Sequence, residues 1–430
     1  MTTIAQITKD WQEILGSEAQ ALASAVGFIR RERKISGGGF ALTLMSGWLS
    51  EKESSLADLA HAYLNSQGKG ISRQGLNSRF NARAAHFMEA LVGVAVKKVV
   101  GHRGERQTEG WINTFSAVWV CDSTVIRLPQ PLEAVWEGTS GSSLKLQVCM
   151  DLKHGGFQHL TLHHGRCHDQ QALADPLELP AGGLFMADLG YFKLARLAHI
   201  SQAQAYWLTR YKGGTHLLDP QGQPLDLLDV LAKVDQLDLN VRVGLQQQLP
   251  CRLLACRVSD AVYAQRLETL RQWERRHQTQ ASPLRHALCR WVIYLSNLPP
   301  HRLRVEQVGI VYSLRWQMEM LFKRWKSLLH LDQWATHNPW RILCEVYAKL
   351  LAILFEHDLM LLAGCHDLAC SRVQAHRVIA KHAWALAAAF ARPAAFRRAV
   401  SHLLLCLQGG WKIATSASSP PTFQKMRTLS

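Results

Sequence analysis

Apolar and polar residues along the chain fall into three successive textures, and each predicts a different kind of element. From the first residue to about 105, apolar positions recur at steps of three and four, the period of an amphipathic helix. The first such run spans Thr3 to Ala25. Near Trp119 the step changes to two. Ala117 to Leu128 (AVWVCDSTVIRL) is β-branched and aromatic and reads as a strand with Asp122 in its middle. Leu144–Leu152 and Phe157–Gly165 read as a hairpin turning at Gly155-Gly156, followed by a helix over Gln170 to Leu177. Leu184–Phe192 (LFMADLGYF) is a short apolar strand that ends on Asp188. Four more strand-like runs follow, at 205–212, 216–227, 239–245 and 251–259, then the charged helical stretch LETLRQWERRHQ and the strand-like Trp291 to Pro300. After Trp334 the helical step returns and continues to about Leu407.

Within the third texture, Tyr312 to Lys326 (YSLRWQMEMLFKRWK) carries two stripes. Leu314, Met318, Leu321, Trp325 and Leu328 form an apolar one. Tyr312, Arg315, Glu319, Phe322 and Lys326 form a second, about 200° around the helix, and four of its five members are polar. The first face packs on a core. The second presents one carboxylate among cations: Glu319 has Arg315 one turn before it and Lys326 two turns after. With Lys323 and Arg324 also nearby, internal charge pairing does not account for the pattern.

In the first texture, SLADLAHAYLNSQGKGISRQGLNSRF reads as two short helices around a glycine-containing turn. Ser55 caps the first, with Asp58 closing a capping box, and Ser72 caps the second. The second helix carries Arg73, Asn77, Arg79 and Arg83, the layout of a helix-turn-helix whose N-terminal residues enter a major groove. Upstream, Arg30 to Lys34 (RRERK) before Gly37-Gly38-Gly39 is either a solvated helix end or a phosphate-contacting strip.

Charge sharpens this. The chain of 430 residues has a formal charge of +16 and a pI near 9.6, which points to a polyanion, with nucleic acid favoured over an anionic membrane surface. The opening run MTTIAQITKDWQEILG carries acids where a secretory leader has a basic and then an apolar region, so no leader is expected. The apolar stretch Leu350–Leu362 contains Glu356, His357 and Asp358 and reads as a buried helix, so a membrane partner is not expected. Ten scattered cysteines predict reduced thiols.

An acid inside a strand needs a reason, and Asp122 is one such acid. Asp188 closes a second strand, and Glu319 stands in the spacing Tyr-x2-Arg-x3-Glu-x6-Lys. These three together resemble the DDE transposases of bacterial insertion sequences, the family whose prototype is insertion sequence four. Asp122-Ser123-Thr124, Asp188-Leu189-Gly190-Tyr191 and the phrase Ser-Asn-Leu-Pro-Pro at 296–300 fall in that family's order; Leu189 stands where the family commonly has Arg. The resemblance implies an α/β fold: a ribonuclease H-like core, a mixed sheet flanked by helices, over 111–195 and 300–345. It also implies a mostly β insertion at 196–299, since Glu319 lies 131 positions after Asp188 (319 − 188), too far for a single loop. A helical DNA-binding domain over 1–110 with its helix-turn-helix-like segment at 55–83, a helical C-terminal domain over 346–413 and a loose tail at 414–430 complete the expected layout.

The implied activity is cut-and-paste transposition. Asp122, Asp188 and Glu319 would be catalytic acids holding two Mg²⁺ ions, with Mn²⁺ able to substitute. Asp122 would bridge the two ions. Tyr312, Arg315, Lys323 and Lys326 would touch DNA near the cut, and Arg73, Asn77 and Arg79 would contact it elsewhere. Lys145 and Arg324 are weaker candidates. The partners would be double-stranded DNA (the element's terminal inverted repeats and the target) and a second copy of the chain, in the cytoplasm on the nucleoid. Two other classes stay open: an inactive or domesticated sequence-specific DNA-binding protein, and another ribonuclease H-like nuclease. A separate cluster, His163, His164, Cys167, His168 and Asp169, offers soft ligands close together, but without paired Cys-x2-Cys spacing it reads as strand-end histidines. Cys365, His366 and Cys370 read as packing near a helix end.

Overall fold

A computed structural model describes the chain except residues 32–34, 51–54, 105–109, 174, 335, 366–369, 408–412, 414–420, 427, 428 and 430. In chain order, α1 (Ile4–Glu13) runs through a π turn (Ile14–Glu18) into α2 (Ala19–Ala25). Next come α3 (Gly37–Ser50), α4 (Leu56–Gln67), α5 (Arg73–Asn77) and α6 (Ala82–Val99). Strands β1 (Val118–Leu128), β2 (Ser142–Asp151) and β3 (Phe157–His164) precede the single turn α7 (Asp169–Ala172), β4 (Leu184–Ala187), α8 (Leu194–Gln202), β5 (Tyr206–Arg210) and β6 (Leu217–Leu218). Then follow α9 (Leu227–Ala232), β7 (Gln236–Val243), β8 (Leu249–Arg257), α10 (Asp260–His277), α11 (Pro283–Leu288) and β9 (Trp291–Ser296). The chain closes with α12 (Val308–Tyr312), α13 (Trp316–Leu328), α14 (Pro339–Leu362), α15 (Arg372–Ala389), α16 (Pro393–Leu407) and α17 (Thr422–Met426). The fold is mixed α/β, with one nine-stranded mixed sheet in the order β3-β2-β1-β4-β5-β9-β8-β7-β6. Among the described residues, no helix is long and apolar enough to cross a membrane.

The chain forms two compact units. The first comprises residues 1–108, 123–167 and 318–424. Its helices interleave the two ends of the sequence: α14 packs on α3 and α6, α15 on α3 and α4, and α1 on α16. The three glycines that open α3 explain one close approach. A Cβ on Gly38 would sit 2.0 Å from the Leu15 carbonyl oxygen, and one on Gly37 2.5 Å from the Ala23 Cβ. They are packing glycines, so neither reading of the preceding basic strip explains them. Of that strip Arg30 and Arg31 are exposed and the rest lies outside the described residues. Two buried charged groups inside this unit are matched. Asp358, fully buried, accepts from Trp11 Nε1 (2.7 Å) and His102 Nδ1 (2.9 Å), and His102 Nε2 reaches Asp10 at 3.2 Å. Lys349, also fully buried, donates to the His330 and Gln333 carbonyls at 2.7 and 2.6 Å, and burial pulls its pKa down to about 8.

The second unit comprises residues 109–122, 168–317 and 425–430. Here β1 pairs with β4 and β4 with β5, both in parallel, while β5–β9, β9–β8, β8–β7 and β7–β6 are antiparallel. The short connection through α8 turns the chain from β4 into β5. Ser296 and Asn297 of the Ser-Asn-Leu-Pro-Pro phrase lock β9 to β5: Ser296 Oγ donates to the Trp207 carbonyl at 2.7 Å, and Asn297 Oδ1 accepts from the Trp207 amide at 2.8 Å. Buried Arg252 holds the segment beyond by donating to the Leu298 and Leu303 carbonyls at 2.6 and 3.0 Å.

Several expectations change. The run from Thr3 to Ala25 is helical but interrupted by the π turn. The helix expected over Gln170–Leu177 is the single turn α7, since Pro176 lacks the amide a longer helix would need. A boundary at 345/346 would cut α14 in two, and the helical segments at both ends belong to one unit. The stretch 196–299 contributes β5, a parallel neighbour of β4, so its strands extend the sheet and make no sheet of their own. Cys121 and Cys149 are disulfide-bonded, against the expectation of reduced thiols, while eight other cysteines are free. The expected tail falls largely outside the described residues, as does His366.

Candidate active site

Two of the predicted acids follow the last residue pair of the parallel β1–β4 ladder, on the carboxyl side of that pairing, the side on which open α/β sheets gather their functional groups. The register of β1 and β4 pairs Val118 with Leu184 and ends by pairing Cys121 with Ala187. Asp122 and Asp188 are therefore the next residues on adjacent strands, at one level of the sheet, with backbones about 4.8 Å apart. The four residues before each acid are buried, and burial relaxes at the acids: Asp122 is half-buried and Asp188 exposed. Apolar strand interiors thus fix two backbones rigidly and release a carboxylate from each.

Arg315 completes this end of the sheet. It closes the 3₁₀ turn Ser313–Arg315 between α12 and α13, and its Nη1 donates to Asp122 Oδ2 at 3.2 Å. Both side chains are mostly shielded, at 17% and 16% exposed, so each supplies a countercharge the other needs. Tyr312 is also here. It is buried, its hydroxyl donates to the Ala187 carbonyl at 3.1 Å, and its ring packs on Tyr294 at 5.2 Å. Burial drives its pKa well above that of a free phenol. In this position the Tyr312 side chain props the residue that precedes Asp188.

Two further residues shape the Asp188 turn and were not singled out by the sequence. Arg196, fully buried on α8, donates to the carbonyls of Tyr191 (3.2 Å), Gln170 (3.0 Å) and Leu173 (3.3 Å). Burial lowers its pKa, with Asp175 acting in the other direction. The signal was present: Arg196 shares the buried face of α8 with Leu197 and Ile200. Asp169, read above as part of a soft-ligand cluster, instead lies against Gly190, where a Cβ would meet its Oδ2 at 2.8 Å. Two residues after Asp188, therefore, a larger residue would make the Asp169 carboxylate move. The cluster itself does not assemble. His163 Nε2 bonds Thr161, His164 Nδ1 accepts the Glu137 amide, and among the described residues these side chains form no group that could hold a metal.

In the first unit, Glu319 is half-buried in the first turn of α13. The helix buries its apolar stripe as expected: Leu314, Met318, Leu321 and Trp325 are all buried. Lys323 is exposed, and Lys326 Nζ donates to the Val125 carbonyl at 3.1 Å. Arg324 lies inside, where burial lowers its pKa to about 9, and Lys145 is buried against the Cys167 carbonyl; neither is placed for DNA. At the N-terminal end, Ser55 and Asp58 form the capping box and Ser72 caps α5. Arg73 and Asn77 are exposed, but α5 is only one turn long. Asn81 caps a new helix, which leaves Arg79 between the two and Arg83 on α6.

A family model described as a transposase DDE domain matches residues 114–355, more than half of the chain. The chain belongs to the DDE transposase family. The transposase is 27% identical over 364 residues to the transposase for insertion sequence element IS231F of Bacillus thuringiensis subsp. israelensis, covering 78% of this chain and 75% of that one. It is 23% identical over 371 residues to the transposase for IS1151 of Clostridium perfringens, covering 80% and 78%. A shorter match, 42% identical over 69 residues, joins it to the putative transposase InsL for IS186A of Escherichia coli K12, covering 16% and 19%. The family generally uses divalent metal ions. Hard carboxylate oxygens at adjacent strand ends, with no imidazole or thiol among them, suit a cation of that kind.

Proposed function

We propose that this transposase binds the ends of an insertion sequence, cuts them by metal-dependent hydrolysis and joins the freed 3′-hydroxyls to target DNA, using a ribonuclease H-like core. The observation that carries this reading is the parallel register of β1 and β4, whose last pair, Cys121 and Ala187, leaves Asp122 and Asp188 as the next residue on each of two neighbouring buried segments. With Glu319 they would hold two Mg²⁺ ions, or Mn²⁺ in their place. Bound there, two such ions supply Lewis-acid activation of the attacking oxygen and neutralise charge building on the phosphate. The chain's own part is to hold the two aspartates in place. Arg315 orients Asp122; Tyr312 and Arg196 hold the backbone on either side of Asp188. Lys323 and Lys326 offer cations to the phosphates flanking the cut, and exposed Arg73 and Asn77 with half-buried Arg79 offer an edge for a further DNA contact.

The second unit adds a basic surface suited to a polyanion. A groove of about 720 Å³ is lined by Leu189, next to Asp188, and by Arg210, Arg266, Arg285, Tyr211 and Trp273. Arg285 lies over the Trp273 ring at 3.9 Å. Burial, followed by the field of Arg210, lowers the pKa of Arg266. Such a concentration of guanidinium groups and ring faces matches phosphates and bases. Joining two DNA ends implies a homodimer on DNA, working in the cytoplasm on the nucleoid.

The test is cleavage of a labelled duplex carrying the element's own terminal repeats, with Mg²⁺ or Mn²⁺, by the wild type and by Glu319→Gln. The expected result is a metal-dependent nick at the repeat boundary that disappears in the variant while binding persists. Specific binding with no cleavage by either protein would overturn the catalytic half of the proposal.

A further inference from the structure

Helices α15 and α16 form a hairpin of the first unit, and the outer end of that hairpin carries three side chains with no part in the chemistry above. His382 lies on α15. His402 and Cys406 lie on α16, four positions apart and therefore on one face. Among the described residues these three form the group that could hold a metal: Nε2 or Nδ1 of each histidine and Sγ of Cys406 all lie within 4.8 Å of one another. Cys406 Sγ is 3.9 Å from His382 Nε2, and the two imidazole centroids are 5.8 Å apart.

The tautomer of His382 adds an independent point. Its Nδ1 lies 2.9 Å from the Val378 carbonyl oxygen, which can only accept, so Nδ1 carries the proton. Nε2 is then left with its lone pair toward Cys406. Metal-bound histidines are commonly held this way, one nitrogen donating to a carbonyl so that the other faces the ion. A tetrahedral zinc with ordinary bond lengths separates S and N ligands by about 3.6 Å, so the observed spacing closes with a small side-chain adjustment. His402 is exposed and the other two are half-buried, which leaves a fourth position for water. The neighbouring cations Lys381 and Arg398 are exposed, where solvent and salt screen their repulsion of an ion.

We propose that His382, His402 and Cys406 form a zinc site that ties α15 to α16, separate from the carboxylates and from their preference for hard cations. One thiolate and two imidazoles select a borderline d¹⁰ ion over Mg²⁺ or Mn²⁺.

Co²⁺ is the probe. Titrated into the full-length, metal-stripped protein under reducing conditions, it should produce a near-ultraviolet thiolate-to-cobalt charge-transfer band that saturates at one equivalent and is displaced by Zn²⁺. Carboxylate-bound Co²⁺ gives no such band. Cys406→Ser should abolish it. His402→Ala, a change at an exposed position that leaves the helices intact by circular dichroism, should weaken Zn²⁺ binding by more than the ~10–100-fold typical of losing an outer partner. Cys167→Ser should leave the band untouched. No charge-transfer band in the wild type, or a band lost in Cys167→Ser and kept in Cys406→Ser, would overturn the site.

Discussion

Asp358 and Asp188 are both acids in mostly apolar surroundings, yet the chain treats them oppositely. Asp358 sits near the C-terminal end of α14 with no exposure, and each oxygen has an internal donor, Trp11 on one and His102 on the other. Asp188 ends a wholly buried strand and is exposed. Ending a strand on an acid at the surface contributes nothing to the core, whereas burying an acid without donors costs several kcal/mol. The first acid is therefore held by the fold, and the second is left open to solvent. That difference separates a carboxylate committed to internal donors from one still available to a ligand, even where the sequences around them are equally apolar.

The largest effect should come from breaking the second class. Asp188→Asn should reduce cleavage by ~10³-fold or more, about 4 kcal/mol of barrier, while the urea midpoint stays at the wild-type value. Measured together, kinetics and denaturation would contradict the comparison if Asp188→Asn unfolded the protein. The converse change, Asp358→Asn, should lower stability by about 3–5 kcal/mol, because His102 and Trp11 lose a buried charged partner, while the folded fraction keeps wild-type cleavage. A urea titration beside an activity assay normalised to folded protein decides this.

The smallest effect is on pH dependence. Burial works against a charge on His102, but the hydrogen bonds and fields of Asp358 and Asp10 outweigh it and raise its pKa above the ordinary 6.5. A raised basic group contributes stability that is fully present below about pH 6.5 and is lost as pH rises through the folded value. Asp358, pushed up by burial with its donors acting in the other direction, has the same sign: its contribution declines as pH rises past the ordinary carboxylate range. The urea midpoint should therefore fall as pH rises above about 6.5, and His102→Gln should flatten that slope. A midpoint that rose with pH would show that His102 is neutral in the fold.

Much of the site was legible because it rests on local rules. The two-stripe pattern of 312–328 places Leu314, Met318, Leu321 and Trp325 inside, the caps at Ser55 and Ser72 form as their residues dictate, and the strands bearing Asp122 and Asp188 follow from short β-branched or apolar runs. What escaped depends on pairing between distant segments. The role of Arg196 is set by three carbonyls up to 26 positions away, and Tyr312 is committed to a carbonyl 125 positions earlier. Nothing local announces that β5 runs parallel to β4. The early end of α5 is a close case, because Asn81 was available as a competing cap and accepts from the Ala84 amide at 3.2 Å.

The interleaved first unit also bears on how the chain is made. Nearly all of α3 is buried, including Phe40, Leu44 and Trp48; beyond its chain neighbours α2 and α4, its covers are α14 and α15. Those covers begin 289 positions after α3 ends (339 − 50). At a ribosomal pace of about 5–20 residues per second, that is roughly 15–60 s during which an apolar helix waits for its partners. Over the same interval the whole 168–317 stretch of the second unit is synthesised. A nascent chain of this kind is a client for holding chaperones. A ribosome that stops before residue 339 would release a polypeptide with its first helices uncovered, prone to aggregation and proteolysis.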